Sequence, residues 1–182
     1  GFSTTGATII PDLDVITHGL LFWRSLTQWI GGMGIIVLSI AILPIFGLNG
    51  MQLYAAEVSG LTYEKLSPRI ADTAKMMWST YLILTATEVL GLWLCGMPIF
   101  DAVCHSFSTI ATGGFSTKNN SLAFYDSAAI HYMVTFFMFI SGINFVILIY
   151  LVRGKARNFF RDEELRWYTV AVILFALLLT IG

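Results

Sequence analysis

The chain has 182 residues, of which 57% are hydrophobic and 12% charged, and its mean hydropathy is +0.78; a soluble domain carries roughly 25% charged residues. This composition excludes an ordinary soluble domain and makes membrane lipid the first expected partner. A net charge of −1 leaves no basic surface for nucleic acid. Two cysteines, Cys95 and Cys104, are too few for a disulfide framework and read as small buried apolar side chains.

The chain opens with "GFSTTGATII" at residue 1, without a basic region or cleavage site, and ends inside the apolar run "LFALLLTIG". Both ends are therefore expected to lie within a longer protein. No charge falls between Arg24 and Glu57, and residues 26–48 are long enough for the ~20 residues of a membrane span. A second span is expected at 76–97, broken only by Glu88, and a third at 131–152. A fourth apolar run begins after Arg166.

Basic residues give the orientation. Lys65, Arg69 and Lys75 lie between the first two spans, and Arg153, Lys155, Arg157, Arg161 and Arg166 follow the third. These two linkers are expected on the cytoplasmic side. The Gly/Thr clusters at 1–10 and 108–117 then lie toward the outside.

Residues 98–117, "PIFDAVCHSFSTIATGGFST", connect two spans on the outer side. A helix of about twelve residues rises only ~18 Å, half of a bilayer core. The expected solution is a re-entrant half-helix begun by Pro98, capped or charge-matched by Asp101, and returning through "ATGGFST" as an extended strand. An ordinary outer loop with an interfacial helix is the alternative. Irregular backbone at membrane depth persists only where protein or a watery path surrounds it.

The two clusters look like a repeat, since "WIGGMGI" (29–35) also resembles "FISGINF" (139–145) at an offset of 110. Pairing through "GFST" sets Gly1 against Gly114, an offset of 113; matching "TTGAT" with "TGGFS" sets Gly6 against Gly114, an offset of 108. The second is preferred because hydroxyl residues then lead into a glycine in both. Such segments suit a monovalent cation. Main-chain carbonyls supply oxygens without buried charge, glycine permits the turns, threonine adds a hydroxyl, and a half-helix C-terminus adds partial negative charge.

"GFSTTGAT", "WRSLTQWIGGMGIIVLSIAILPIFG", "GMQLYAAE", "RIADTAK", "FDAVCHSFSTIATGGFST" and "FISGIN" closely resemble the TrkH/TrkG branch of the Trk/Ktr/HKT potassium transporters. The resemblance implies an all-α integral membrane protein: tandem helix, re-entrant pore-helix, helix repeats around one potassium-channel-like pore, here truncated at both ends. It implies K⁺ uptake across the bacterial cytoplasmic (inner) membrane, with K⁺ as the transported ion, no catalytic residue and no bound cofactor. It further implies a homodimer and a cytosolic ring of nucleotide-binding regulatory subunits of the TrkA type. By residue, the first filter strand falls on Thr4, Thr5, Gly6 and Ala7, and the second on Ala111, Thr112, Gly113 and Gly114. Residues 1–48 then end a first repeat, 76–152 form the second, and 167–182 start the third, with cytoplasmic linkers at 49–75 and 153–166. The gating loop and two further filter strands would lie beyond residue 182.

Other residues carry competing readings. Gly31, Gly32 and Gly34 read as close helix packing, with a hinge as the alternative. Ser141 and Asn144 either face the pore or bond between helices. Glu88 serves ion coupling or a hydrogen-bonded structural role beside Thr85 and Thr87. Asp12 and Asp14 either concentrate cations or solvate a loop, with Asp14 capping the next helix. The basic run 153–166 reads as a positive-inside anchor, or as a docking surface for the cytosolic ring. Two rival functions remain: a coupled secondary transporter with a site including Glu88, and a haem-bearing electron-transfer subunit using His18, His105 and His131.

Overall fold

The computed structural model describes residues 1–34, 67–144, 147–148 and 162–181. Helix α1 (His18–Trp29) runs into a π-helical turn, Ile30–Gly34. Helices α2 (Ser67–Leu94) and α3 (Ile99–Ile110) follow, then a 3₁₀ turn at Ser121–Phe124, α4 (Ala128–Ser141) and α5 (Glu163–Ile181). No β-strand occurs among the described residues. The first Gly/Thr cluster and residues 111–117 of the second are irregular backbone, and residues 108–110 are the end of α3.

Helix α3 is the hub, packed by α1, α2 and α4. Its 12 residues match the expected half-helix. Pro98 occupies the N-cap position with φ −54° and ψ 138°, so its fixed φ and extended ψ end the preceding turn and admit the helix at Ile99. The returning segment 111–117 then runs back beside α3. Met33, Tyr81, Ile110 and Phe137 form a buried cluster at the foot of α3, while Leu92, Met97, Ala102, Tyr125, Ile130 and Val134 form one at its head.

Of the two roles expected for Asp101, capping α3 or matching its dipole charge, the structure shows the second. It sits in the first turn without a capping bond, and its two oxygens accept the hydroxyls of Thr117 and Tyr125, each at 2.7 Å. The carboxylate therefore pins the end of the returning segment to the start of the half-helix, close to the positive end of the helix dipole. Burial, with the Asp101 contact second, pushes the Tyr125 phenol well above its ordinary range, so the hydroxyl keeps the proton it donates.

Among the described residues no helix is long and apolar enough to cross a membrane. The expected spans 26–48 and 131–152 continue into residues outside the described set, as do Lys65, the linker residues 49–66 and the basic residues 153–161. Span 76–97 falls within α2, whose 28 residues extend about 42 Å. Its apolarity is diluted by Thr80, Thr85 and Glu88, all buried against protein. The fourth run lies in α5, which opens with Glu163, Glu164 and Arg166.

The double hydrogen bond at Asp101 has a measurable weight. Asp101→Ala leaves two buried hydroxyls without their acceptor and is expected to lower unfolding stability by about 3 kcal/mol, against about 1.5 kcal/mol for Tyr125→Phe. Chemical unfolding of the purified full-length protein in detergent checks this; equal losses for the two variants would contradict it.

Candidate ion-binding site

The site begins where α3 stops. The Gly113 N–H bonds the Ser108 carbonyl at 2.8 Å and the Thr112 N–H bonds that of Thr109 at 2.9 Å. The end of α2 is built the same way, with Met97 N–H on Leu92 and Gly96 N–H on Trp93, both at 3.0 Å. In this paired-bond ending one residue adopts the left-handed conformation, and glycine is the usual choice. α2 uses Gly96 at φ 95°, but α3 uses Thr112 at φ 53°. A β-branched side chain there costs about 1–2 kcal/mol. Two residues on, Gly114 is again left-handed, at φ 80°.

The first cluster repeats this. Thr4 has φ 50° and Gly6 φ 74°, and the Thr4 N–H bonds the Gly1 carbonyl at 2.9 Å, as Thr112 bonds Thr109. Every matching feature lies 108 positions apart. Of the two registers open in the sequence, the torsion angles therefore select the one that pairs Gly6 with Gly114. The two segments also touch: a Cβ on Gly6 would collide with the Gly113 carbonyl oxygen.

Within the second segment Ala111 and Gly113 are buried while Thr112 and Gly114 are exposed; in the first, Thr4 and Gly6 are half-buried and Thr5 and Ala7 exposed. Thr112, Gly113 and Gly114 line a cavity of about 320 Å³ together with His105, Ser108 and Ser141. The C-terminal end of α3 points its carbonyls at this segment and has no basic residue in its last turn. Its partial negative charge is therefore uncompensated and favours a cation.

One face of α1 and its π turn holds both segments. Arg24, Gln28, Gly31 and Gly32 follow the helical spacing of that face. Arg24 donates to the Thr8 hydroxyl at 2.6 Å and lies 4.0 Å above the Phe115 ring, so it joins the ends of the two segments. Gln28 is fully buried. Its Oε1 accepts the Ser108 hydroxyl at 2.9 Å and the Phe115 N–H at 3.3 Å, and a Cβ on Gly113 would overlap its amide. Gly31 abuts the main chain of Phe2, and a Cβ on Gly32 would come within 3.0 Å of Ala111. Close packing is thus the role of Gly31 and Gly32, whereas Gly34 has only ordinary contacts, the nearest at 3.6 Å from a Cβ position. Arg24 and Gln28 were not singled out in the sequence; their four-residue spacing on the face of the glycine pair was the available signal.

Other sequence candidates fall in different places. Glu88 is buried beside Thr109, and neither carboxylate oxygen has a hydrogen-bond partner among the described residues. The expected partners Thr85 and Thr87 instead donate to the carbonyls of Tyr81 and Ile83, within α2. Asp14 does not cap α1, whose N-cap position is Thr17. Asp12 and Asp14 both accept from the Asn119 amide, at 2.8 and 3.0 Å, which ties the loop before α1 to the loop after the second segment. That Asn119 bond, with the Asp14 N–H second, holds the Asp12 carboxyl below its ordinary range.

Ser141 and Asn144 bond between elements. The Ser141 hydroxyl lies 3.2 Å from the Thr109 carbonyl and 2.6 Å from that of Phe137, and Asn144 donates to Glu164 at 3.2 Å. Both ring nitrogens of His105 are engaged, by the Asp101 carbonyl at 2.8 Å and the Ser116 hydroxyl at 3.1 Å. The His131 ring meets the Leu122 carbonyl, and His18 packs edge-on to Phe100. The engagement of both His105 nitrogens opposes its use as an axial haem ligand. Cys104 is buried and Cys95 partly so, both as free thiols.

The left-handed threonine makes a stability prediction. Thr112→Gly relieves the steric cost of φ 53° and, after the glycine's larger unfolded-state entropy, is expected to stabilise the protein by up to about 1 kcal/mol. A rise in unfolding midpoint checks it; a fall would show that the hydroxyl contributes more than the strain costs.

Comparison with known proteins gives the family. The family model for TrkH, described as a cation transport protein, matches residues 1–181. The Trk system potassium uptake protein TrkH of Salmonella typhimurium is 50% identical over 170 residues, covering 92% of this chain and 35% of that protein. TrkG of Escherichia coli, also a Trk system potassium uptake protein, is 38% identical over 175 residues, 95% of this chain and 36% of that protein. The crystal structure of the potassium transporter TrkH from Vibrio parahaemolyticus superposes with a TM-score of 0.75 at 42% identity, over 97% of this chain and 35% of that one. The chain thus spans about a third of the length of these relatives. It belongs to the TrkH family of cation transport proteins.

Proposed function

We propose that this chain contributes two of the cation-coordinating segments of a K⁺ uptake pore. The observation that carries this is the recurrence, 108 positions apart, of a left-handed threonine followed two residues later by a left-handed glycine. In a regular extended chain successive carbonyls point to opposite sides. Left-handed residues at alternate positions turn successive carbonyls toward one side, which is what a ring of oxygens around a dehydrated ion requires. Thr4, Thr5, Gly6 and Ala7, with Ala111, Thr112, Gly113 and Gly114, are the proposed K⁺-facing residues.

The setting is the bacterial cytoplasmic membrane, with lipid against α2, α4 and α5. Leu82, Leu90 and Trp93 of α2, Phe136 of α4, and Phe175 and Leu179 of α5 are exposed, and so many large apolar side chains need an apolar solvent or further protein to cover them. The potassium uptake named for the relatives supports K⁺ as the cargo. The family resemblance implies the remaining assembly, a homodimer with a cytosolic nucleotide-binding ring, and a repeat plan with linkers at 49–75 and 153–166.

Gly114 has φ 80° with no atom near a potential Cβ, so its substitution acts through the backbone and not through a clash. In the full-length protein reconstituted in vesicles, Gly114→Val is expected to abolish K⁺ flux or its preference over Na⁺. An unchanged preference would remove Gly114 from the ion path.

A coupled secondary transporter is the second reading, favoured by the burial of Glu88 without partners for its carboxylate oxygens among the described residues. An intramembrane carboxyl of this kind marks ion pathways as well as structural sites. Glu88→Gln keeps the shape and removes the titratable group. Normal K⁺ flux that no longer responds to a proton or Na⁺ gradient would support coupling; flux and gradient response both unchanged would exclude it.

A further inference from the structure

In an α-helix the Met33 N–H would bond the Trp29 carbonyl, four residues back. Here a side chain from another helix takes the carbonyl end of that bond. The Tyr81 hydroxyl donates to the Trp29 carbonyl at 2.9 Å, beside the Met33 main chain. The helix widens into its π turn at the same place, Ile30–Gly34, as expected where a side chain enters the ladder. The Tyr81 ring, 1% exposed, lies 5.3 Å from the Trp29 ring at 33°.

The arrangement occurs twice. The Tyr168 hydroxyl of α5 donates to the Phe139 carbonyl at 3.1 Å, and the two rings stack at 5.2 Å and 30°. The Ile143 N–H, which regular helix geometry would send to Phe139, goes to the Ile140 carbonyl at 3.0 Å. So α4 also loses a rung where a tyrosine hydroxyl arrives. Trp29 and Phe139 are 110 positions apart, as are Gly32 and Gly142. Each glycine makes room for the tyrosine: a Cβ on Gly32 would stand 3.0 Å from the Tyr81 oxygen, and one on Gly142 would strike the Tyr168 hydroxyl. Yet Tyr81 lies 52 residues after Trp29 and Tyr168 only 29 after Phe139. A contact rebuilt across connections of such different length is a feature of the repeat.

Gly32 is also where the π turn meets the second segment, since the same Cβ position lies 3.0 Å from the Ala111 Cα. We propose that Tyr81 is a positioning residue of the ion path, its hydroxyl wedged into the helix between Trp29 and Met33 so as to hold Gly32 against Ala111 and set the placement of residues 111–114. Tyr168 is the same wedge one repeat further on. The assignment rests on the reading of 111–114 as K⁺-facing.

The test uses the full-length protein in vesicles, with K⁺ and Na⁺ flux measured alongside hydrogen exchange over residues 29–34. Tyr81→Phe keeps the ring and removes the wedge. Exchange is expected to rise, and K⁺ over Na⁺ preference to fall about three- to tenfold, the scale of one hydrogen bond. Gly32→Ala, which displaces the hydroxyl without removing it, is expected to give the same fall, and the double variant no more than either alone. It replaces Tyr81→Phe if that variant does not fold. Exchange unchanged would show that there is no wedge. Faster exchange with wild-type preference would overturn the positioning role. A wild type with protected amides but no K⁺ preference would instead overturn the ion-path reading and leave only the wedge standing.

Discussion

The constraint on which the centre of this chain depends is the termination of a half-length helix deep among apolar neighbours. The last carbonyls of α3 need partners, and the chain must turn back without leaving main-chain groups unpaired at membrane depth. A left-handed residue at 112 answers both needs, closing the Ser108 and Thr109 carbonyls with its own and the following N–H. That the residue is threonine, where α2 uses glycine for the same ending, means that strain is tolerated at this position. Strained backbone persists when the surroundings over-determine it and gathers where function needs a particular geometry. Here the surroundings are Gln28, Gly32 and Asp101, each contacting the helix or the segment that leaves it.

Support passes between elements far apart in the chain. In the proposed repeat plan the segment 111–117 goes with α2 and α3, but its backing comes from α1, through Arg24, Gln28 and Gly32. α2 in turn reaches back to α1 through Tyr81, and α5 reaches back to α4 through Tyr168. The loops follow the same rule, with Asn119 holding Asp12 and Asp14. The segment 111–117 is therefore held from α1 as well as from α3, the helix it leaves.

Several of these features were legible in the sequence because they depend on length and composition. A dozen moderately apolar residues between two longer runs are too short to cross, and α3 has that length. Paired Gly/Thr clusters mark irregular backbone, and both clusters are irregular. The register was ambiguous because both alignments match similar letters. What separates them is the sign of φ at Thr4 and Thr112, and no propensity assigns left-handed backbone to threonine. Asp101 was expected to cap or charge-match its own helix and does lie in the first turn, but local reasoning does not see its partners Thr117 and Tyr125, 16 and 24 residues away. The structural reading of Glu88, one of two left open, looked to its neighbours Thr85 and Thr87 for the same reason, and both bond within α2 instead. Hydropathy averages also do not say which way a side chain faces, so Thr80 and Glu88 lower the apolarity of α2 while pointing into protein.

The most direct measurement is the structure of the full-length protein with Tl⁺ in place of K⁺, using the heavy ion's anomalous scattering to locate it. The account predicts anomalous density between the first and second segments, in direct coordination with main-chain carbonyls of residues 4–7 and 111–114. Ion density confined to other parts of the protein, with those carbonyls uncoordinated, would contradict it.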